Sequence, residues 1–587
     1  MKFFPRNRHF LIFLFLWIIV FSGIRTLQHF SFGTNACDLS LFDYGMYYTL
    51  RGELMSDPFH QYGFGRWVRD GGELSFEPLK AKRWESHFSI HFTPLVFFFV
   101  PFYLVFDGPL FLLIFQVVGV GLSAFLLYLI AWSVFQDRTA PFIIAVSYLF
   151  FRQLLLGLMH DIHLEMYFPL FLFSSYYFIV VKKNPFLFSL SVALALFIKE
   201  DIAFLLLFYG IFLFFKLKEK KYGFAVAAGS LLYLAAAMGI AIPFFRKISG
   251  MEGAYVYGHF GGSLIQIAGN ILSHPAALFE NIYMGLFLSK LSNIILPLLL
   301  LPLMTSYALL ILPPLLVAIL SKNPQNYSFG IHYSATLLPF VFLSLIYGLK
   351  NIKFFLEKKF SSRAGKIVGF ILILLLVANL ANSPFWRIIR PSRYRALGDY
   401  GQVARAISQI PGRLHSVAAL SAIIPHIPKR KGIFMLPEMG EAEYILIHSG
   451  INLWPYTREE FSNFIKKIEQ EQNYSCVWQH GEIRLFRKRG REPKTGSLSP
   501  HNILTTLHIS FYHFYGWGDA QLLHERSYSY PSGKRVYIWR INGDASPRNW
   551  TTRVRKLDST RLPQELSITR YQRWWLRSPR RPAFLSS

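Results

Sequence analysis

Charge is scarce in this chain. Asp, Glu, Lys and Arg make up 16% of its 587 residues, against roughly 25% in an ordinary soluble domain. Hydrophobic residues make up 53%, and 59 residues are Phe. A soluble domain cannot hide that much apolar surface, and a disordered chain needs the opposite balance. Cysteine is scarcer still. Cys37 and Cys476 are too few for a disulfide framework or a thiolate metal cluster, and their spacing leaves open whether they pair with each other. The apolar/polar alternation of a membrane barrel is missing. Acidic residues are outnumbered 33 to 61 by basic ones, for a net charge of +28. Such an excess marks a nucleic-acid partner or basic cytoplasmic loops. The apolar content favours loops, so no nucleic-acid partner is expected.

What is present is a series of apolar runs between Phe10 and Leu380. Each approaches the roughly 20 residues that cross about 30 Å of hydrocarbon. The reading is an all-α polytopic membrane protein with about eleven spans. The first run, Phe10 to Ile24, follows Lys2, Arg6 and Arg8. It is expected to be a retained helix with the N-terminus in the cytoplasm. The short run 92–106 contains Pro94 and Pro101 and is expected to lie at the outer face. That choice puts Lys182 and Lys183, Lys216 to Lys221, and the basic loop 350–366 all inside, as cytoplasmic loops require. Residues 1–381 then form a membrane domain with outer polar loops at 26–91, 159–165, 246–281 and 321–334. Residues 382–490 read as a small extracytoplasmic α/β domain. Helices are expected at 403–410 and 461–471, and strands at 415–420, 443–447 and 483–486.

From about Arg491 the texture changes. The last 97 residues hold 13 Arg and 3 Lys, whereas residues 1–490 hold 22 Arg and 23 Lys. No sustained periodicity stands out. The tail, 491–587, reads as an Arg-rich segment that is frameshifted, fused or disordered; the alternative is an arm for anionic surfaces. No function is assigned to it.

Ionisable groups in and beside membrane spans are costly and need a reason. In this topology they gather on the outer face. The first loop supplies Asp38 and Asp43, then Glu85, His87 and His91. The second supplies His160, Asp161, His163 and Glu165. The third supplies Lys199, Glu200 and Asp201. Later loops supply Tyr257, His259, His332 and Tyr333. Carboxylates serve as general bases or hold a divalent cation, histidines move protons, and a lysine offers a point charge to a phosphate oxygen. The set suits attack of a hydroxyl on a lipid-phosphate-linked donor. Asp38 and Asp43 are the candidate catalytic residues. His91, Asp161, His163, Glu165, Lys199, Glu200, Asp201, His332 and Tyr333 are the candidate substrate-binding residues. No HExxH spacing is present, and no firm metal site is assigned. Asp38, Asp43, His163 and Glu165 are the residues that could hold a divalent cation. The plainer alternatives are a solvated 161–165 loop and a self-compensating charge cluster at 199–201.

Taken in order, these segments resemble the prokaryotic membrane-protein family catalogued as domain of unknown function 2079. Its D-L-G-x-F-D-Q segment is similar to Asp38-Leu39-Ser40-Leu41-Phe42-Asp43-Tyr44, and its H-F-S-P segment to His91-Phe92-Thr93-Pro94. Its D-F-H-P-E segment is similar to Asp161-Ile162-His163-Leu164-Glu165, and its K-E-D segment to Lys199-Glu200-Asp201. Ser416 to Ala419 and Pro425-His426 resemble its outer-domain segments. The match covers roughly residues 10–488 and leaves the tail outside. Ser40, Tyr44 and Leu164 depart from the usual Gly, Gln and Pro. The family's layout is similar to GT-C membrane glycosyltransferases, which implies transfer of a sugar from a polyprenyl-phosphate donor to an acceptor at the outer face of a prokaryotic inner membrane. The rival classes are a transporter or lipid flippase, and a non-catalytic scaffold. No inverted repeat supports the transporter.

Overall fold

A computed structural model of the chain describes residues 8–490 apart from 60, 62–65, 78–83, 107, 250–260, 262–263, 275, 277–283, 322–325, 327–328 and 471–472. In the tail it describes 506–509, 520–529, 535–542, 554–555, 565–566 and 583–586. Tyr257 and His259 lie outside the described residues. The chain divides into two compact units, Met1–Lys488 and Arg489–Ser587.

The first unit is built on apolar helices. Among the described residues, five helical stretches are long and apolar enough to cross a membrane: Arg8–Phe30, Pro109–Phe135, Leu164–Val181, Lys220–Ile248 and one beginning at Leu338. Thr139–Leu149 and Arg152–Met159, bent by 43°, make a sixth if they form one broken span. Pro185–Leu196, Ile202–Phe215, Met284–Leu298 and Ser306–Leu320 are apolar but shorter. Val96–Tyr103 has eight residues, about 12 Å of helix, too short to cross. Two helices pack backbone to backbone at glycines. A Cβ on Gly210 would lie 2.6 Å from Ala227 N, and one on Gly223 would lie 2.5 Å from Phe214 N, the small-residue contact typical of membrane helices.

Several boundaries differ from expectation. The first helix runs on to Phe30 because Arg25 finds partners within the protein. The expected loop 350–366 is helical, inside a helix Leu338–Asn382 that turns sharply at Ser361. Its polar stretch is rich in Lys, a good helix former, and Lys353 and Glu357 pair at 3.9 Å across one turn.

Residues 400–488 carry a five-stranded sheet. Its order is Ile433–Met435, Val417–Ala419, Tyr444–His448, Ile483–Lys488, Tyr474–His480. The first two pairings are parallel and the last two antiparallel. Helices Tyr400–Ser408 and Arg458–Gln470 accompany it. The expected strands and helices fall within two or three residues of these. Two strands escaped sequence reading. Ile433–Met435 is three residues long, and Tyr474–His480 is a largely exposed edge strand.

The second unit holds an antiparallel sheet in the order Thr506–Ile509, Ala520–Ser529, Arg535–Asn542, Ala583–Ser586. Strands were not expected there. Arg535–Asn542 carries Val, Tyr, Ile and Trp in succession, a composition suited to a pleated surface.

Candidate functional site

Asp38 sits in a π-turn, Ala36–Ser40, just beyond the first helix. His160 and His163 lie in the short link between Arg152–Met159 and the helical turn Leu164–Tyr167. Three polar side chains set in apolar helices hold that link. Arg25 donates to Gln28 Oε1 and to the carbonyls of His160 and Asp161 at 3.1 and 3.0 Å. Gln28 donates to Met159 O at 2.8 Å. Gln116 accepts from His163 N at 2.8 Å and donates to Asp161 O at 3.2 Å.

The link brings the predicted residues together. His160 Nδ1 is 2.8 Å from His163 Nε2. Asp38 Oδ2 lies 3.8 Å from the first and 3.9 Å from the second. His332, distant in sequence, stacks on His163 with ring centroids 3.4 Å apart, and Tyr333 packs beside it at 4.1 Å. Two residues after His163, Glu165 accepts a charged hydrogen bond from Lys199 at 3.2 Å. Lys199 also lies 3.5 Å from Asp201. Glu200 turns away to receive His91 Nδ1 at 2.8 Å and Phe92 N at 2.9 Å. It ties the segment before Val96–Tyr103 to the 199–201 turn, and Leu95 N reinforces the tie on Phe197 O at 2.8 Å.

Burial sets the electrostatics. The Asp38 side chain keeps 34% exposure, yet its surroundings push its carboxyl up to about 8; burial comes first, then repulsion from Asp161 and Glu165. Burial and Arg25 hold His160 down near 4. His163 and His332 are held well below the usual histidine range by burial and by neighbouring histidines. Lys199 is held well above its ordinary value: burial opposes the shift, but Asp201, Glu165 and Glu200 outweigh it.

Two predicted residues take other places. Asp161 receives Asn35 N on both carboxylate oxygens, at 3.0 and 3.2 Å, and so anchors the turn leading to Asp38. Asp43 is buried, receives the Tyr103 hydroxyl and pairs with Lys429 at 3.0 Å. It joins the first loop to the sheet-bearing region instead of joining the histidines. Tyr44, at the family's Gln position, accepts from Arg430 N at 3.3 Å and packs edge-on to Phe59. Ser40, at the family's Gly position, is buried, and among the described residues its hydroxyl has no partner. Cys37 and Cys476 are both free.

Sequence reasoning passed over Arg25, Gln28, Gln116, Lys429 and Tyr103. A signal for Gln116 was present, because it is a polar residue inside the 27-residue apolar helix Pro109–Phe135. Lys429 carried none.

Helices long enough to span a bilayer, with a histidine, carboxylate and lysine cluster where their connecting turns converge, define a polytopic membrane protein with a built polar site. The chain belongs to the family described as predicted membrane protein (DUF2079), whose model matches residues 28–485. No curated protein matches it. Among solved structures, the chain is similar to the crystal structure of ArnT from Cupriavidus metallidurans bound to undecaprenyl phosphate. The identity is 10% and the TM-score 0.39, over 80% of this chain and 97% of that one. A likeness of that size carries neither activity nor ligand to this chain.

Proposed function

We propose that the protein is a GT-C-like glycosyltransferase that moves a sugar from a polyprenyl-phosphate donor to an acceptor at the outer face of a prokaryotic inner membrane. One observation carries the reading. A carboxylate, Asp38, and a half-buried cation, Lys199, belong to a single cluster, linked through His163 and Glu165, at the ends of membrane helices. The connections at the opposite ends are rich in lysine, and two of them meet through Lys183 and Glu219 at 2.6 Å. That distribution supports placing the cluster outside.

The reaction has one displacement. Asp38 takes the proton of an acceptor hydroxyl, and the hydroxyl oxygen bonds to the anomeric carbon. The bond from that carbon to the phosphate oxygen breaks, and polyprenyl phosphate leaves. Lys199, held by Glu165 and Asp201, offsets the negative charge that grows on the leaving phosphate, an interaction that is stronger in the transition state than in the ground state. His91 and Glu200 brace the turn that presents Lys199. His163, His332 and Tyr333 line the donor or acceptor side.

The test is transfer from a radiolabelled polyprenyl-phosphate sugar in proteoliposomes. Asp38→Asn is expected to lower product by at least about 100-fold while the protein still inserts and folds. Turnover retained in Asp38→Asn removes Asp38 from the mechanism. Lipid movement across the bilayer without product would replace the transferase with the flippase.

A further inference from the structure

We propose that His160, His163 and His332 form a divalent transition-metal site, with zinc as its best-fitting occupant and Asp38 beside the open fourth position. One ligand atom from each histidine lies within 4.8 Å of the other two. His160 Nδ1 and His163 Nε2 are 2.8 Å apart, and Asp38 Oδ2 lies 3.8 and 3.9 Å from them. Zinc–nitrogen bonds of about 2.0–2.1 Å in a tetrahedron put ligand atoms about 3.3 Å apart. The His163 and His332 rings lie nearly parallel, 17° apart in plane, so ligation requires one of them to turn until both ring planes meet at the metal.

The second observation is an orphan. His332 is 8% exposed, and among the described residues its Nδ1 has no hydrogen-bond partner. A buried polar atom left unmade is costly, and buried polar groups in folded proteins are seldom left so. Packing alone would put an aromatic hydrocarbon against His163. A ring nitrogen there is explained by something that binds it.

The donor set selects the metal. Three imidazoles favour zinc, copper, iron or nickel over magnesium or calcium, which require oxygen ligands. Three protein ligands with an open position are the pattern of a reactive zinc site, as opposed to a closed structural one. Asp161, the nearest other carboxylate, is occupied by Asn35 N and stays outside. The backbone of the His160–His163 link is already fixed by Arg25 and Gln116, so two of the three ligands sit on a held backbone before metal arrives. The assignment stands apart from sugar transfer, because it is read from binding.

The experiment uses the full chain in detergent, purified without a polyhistidine tag and stripped with a chelator. Zn²⁺ is titrated against a chromophoric competitor, and Co²⁺ is added as a spectroscopic probe. The expected result is one tight equivalent of Zn²⁺ and a Co²⁺ adduct with the visible bands of tetrahedral coordination. His163→Ala and His332→Ala should each weaken Zn²⁺ binding more than the roughly 10–100-fold seen when outer partners of a metal site are changed. His415→Ala, in the sheet-bearing region, should bind as the parent does. If His163→Ala does not fold, the parent's Co²⁺ spectrum and His332→Asn decide. A parent chain that takes up no stoichiometric Zn²⁺, or that binds it equally well after His332→Ala, overturns the site.

Discussion

Asp38 and Asp43 lie five residues apart in the same turn-and-helix segment, yet they serve opposite kinds of place. Asp43 is closed in: Tyr103 donates to it, Lys429 neutralises it, and the side chains of the pair are only 5% and 11% exposed. Asp38 is open, and among the described residues its side chain has no hydrogen-bonding partner nearer than two histidines at 3.8 and 3.9 Å. A polar network whose members are satisfied specifies a structure. One with atoms left over is prepared for something absent from the chain. By that criterion the Asp43 cluster is a joint, and the Asp38 cluster is the one proposed as the site.

The sharpest way to break this comparison is to make the same change in both. Asp38→Asn should lower transfer by about 100- to 10,000-fold, the range expected for a lost general base, with thermal stability close to the parent's. Asp43→Asn should do the reverse, destabilising by about 3–5 kcal/mol because Lys429 is left buried and unpaired, with activity falling only as folded protein is lost. Thermal melts and proteoliposome assays on both variants check this. Equal stability losses in the two would erase the distinction between joint and site.

A smaller effect is expected at Gln116. Gln116→Leu leaves His163 N without its acceptor, costing about 1–3 kcal/mol. It should loosen the histidine link before it affects the rest of the bundle. Hydrogen exchange at residues 160–165 reads this directly, and unchanged protection there would show that Arg25 and Gln28 hold the link without Gln116.

The smallest effect concerns the contact of the sheet-bearing region with the first helix. His426 stacks on His29 at 4.3 Å and lies edge-on to Tyr400. Burial, and then His29, hold its pKa well below the ordinary 6.5. Below pH 6.5 the unfolded chain binds a proton that the folded chain refuses. The stability contributed by His426 is therefore present above 6.5 and declines as pH falls, by up to about 1.4 kcal/mol per pH unit. Melting between pH 7.5 and 5 should show a shallower decline in His426→Gln than in the parent. Identical slopes would mean that this histidine titrates freely in the folded state.

Much of this was legible in the sequence for local reasons. The apolar runs announced membrane helices because hydrocarbon crossing demands length. Strands near Val417, Tyr444 and Ile483 were legible because buried strands read as short apolar blocks. The membership of Asp38, His163 and Lys199 in one set was legible because polar groups beside apolar spans require a cause. The edge strand Tyr474–His480 was not legible, since half its surface is solvated and its residues could equally be loop. Nor was the helical course of 350–366, where basic residues signal sidedness and helix propensity at the same time.

The sequence alone determined the solvent this protein folds in, the chemistry of the groups available to it and the family to which it belongs, because these follow from composition and short motifs. Only the tertiary structure decided which groups meet. His332 reaches His163 across 169 positions, Lys429 finds Asp43 across 386, and one carboxylate of a nearby pair is sealed while the other stays open. No local periodicity encodes those meetings. They are set by how whole helices and a sheet pack, where the entropy of closing long loops is offset by burial shared among many residues at once.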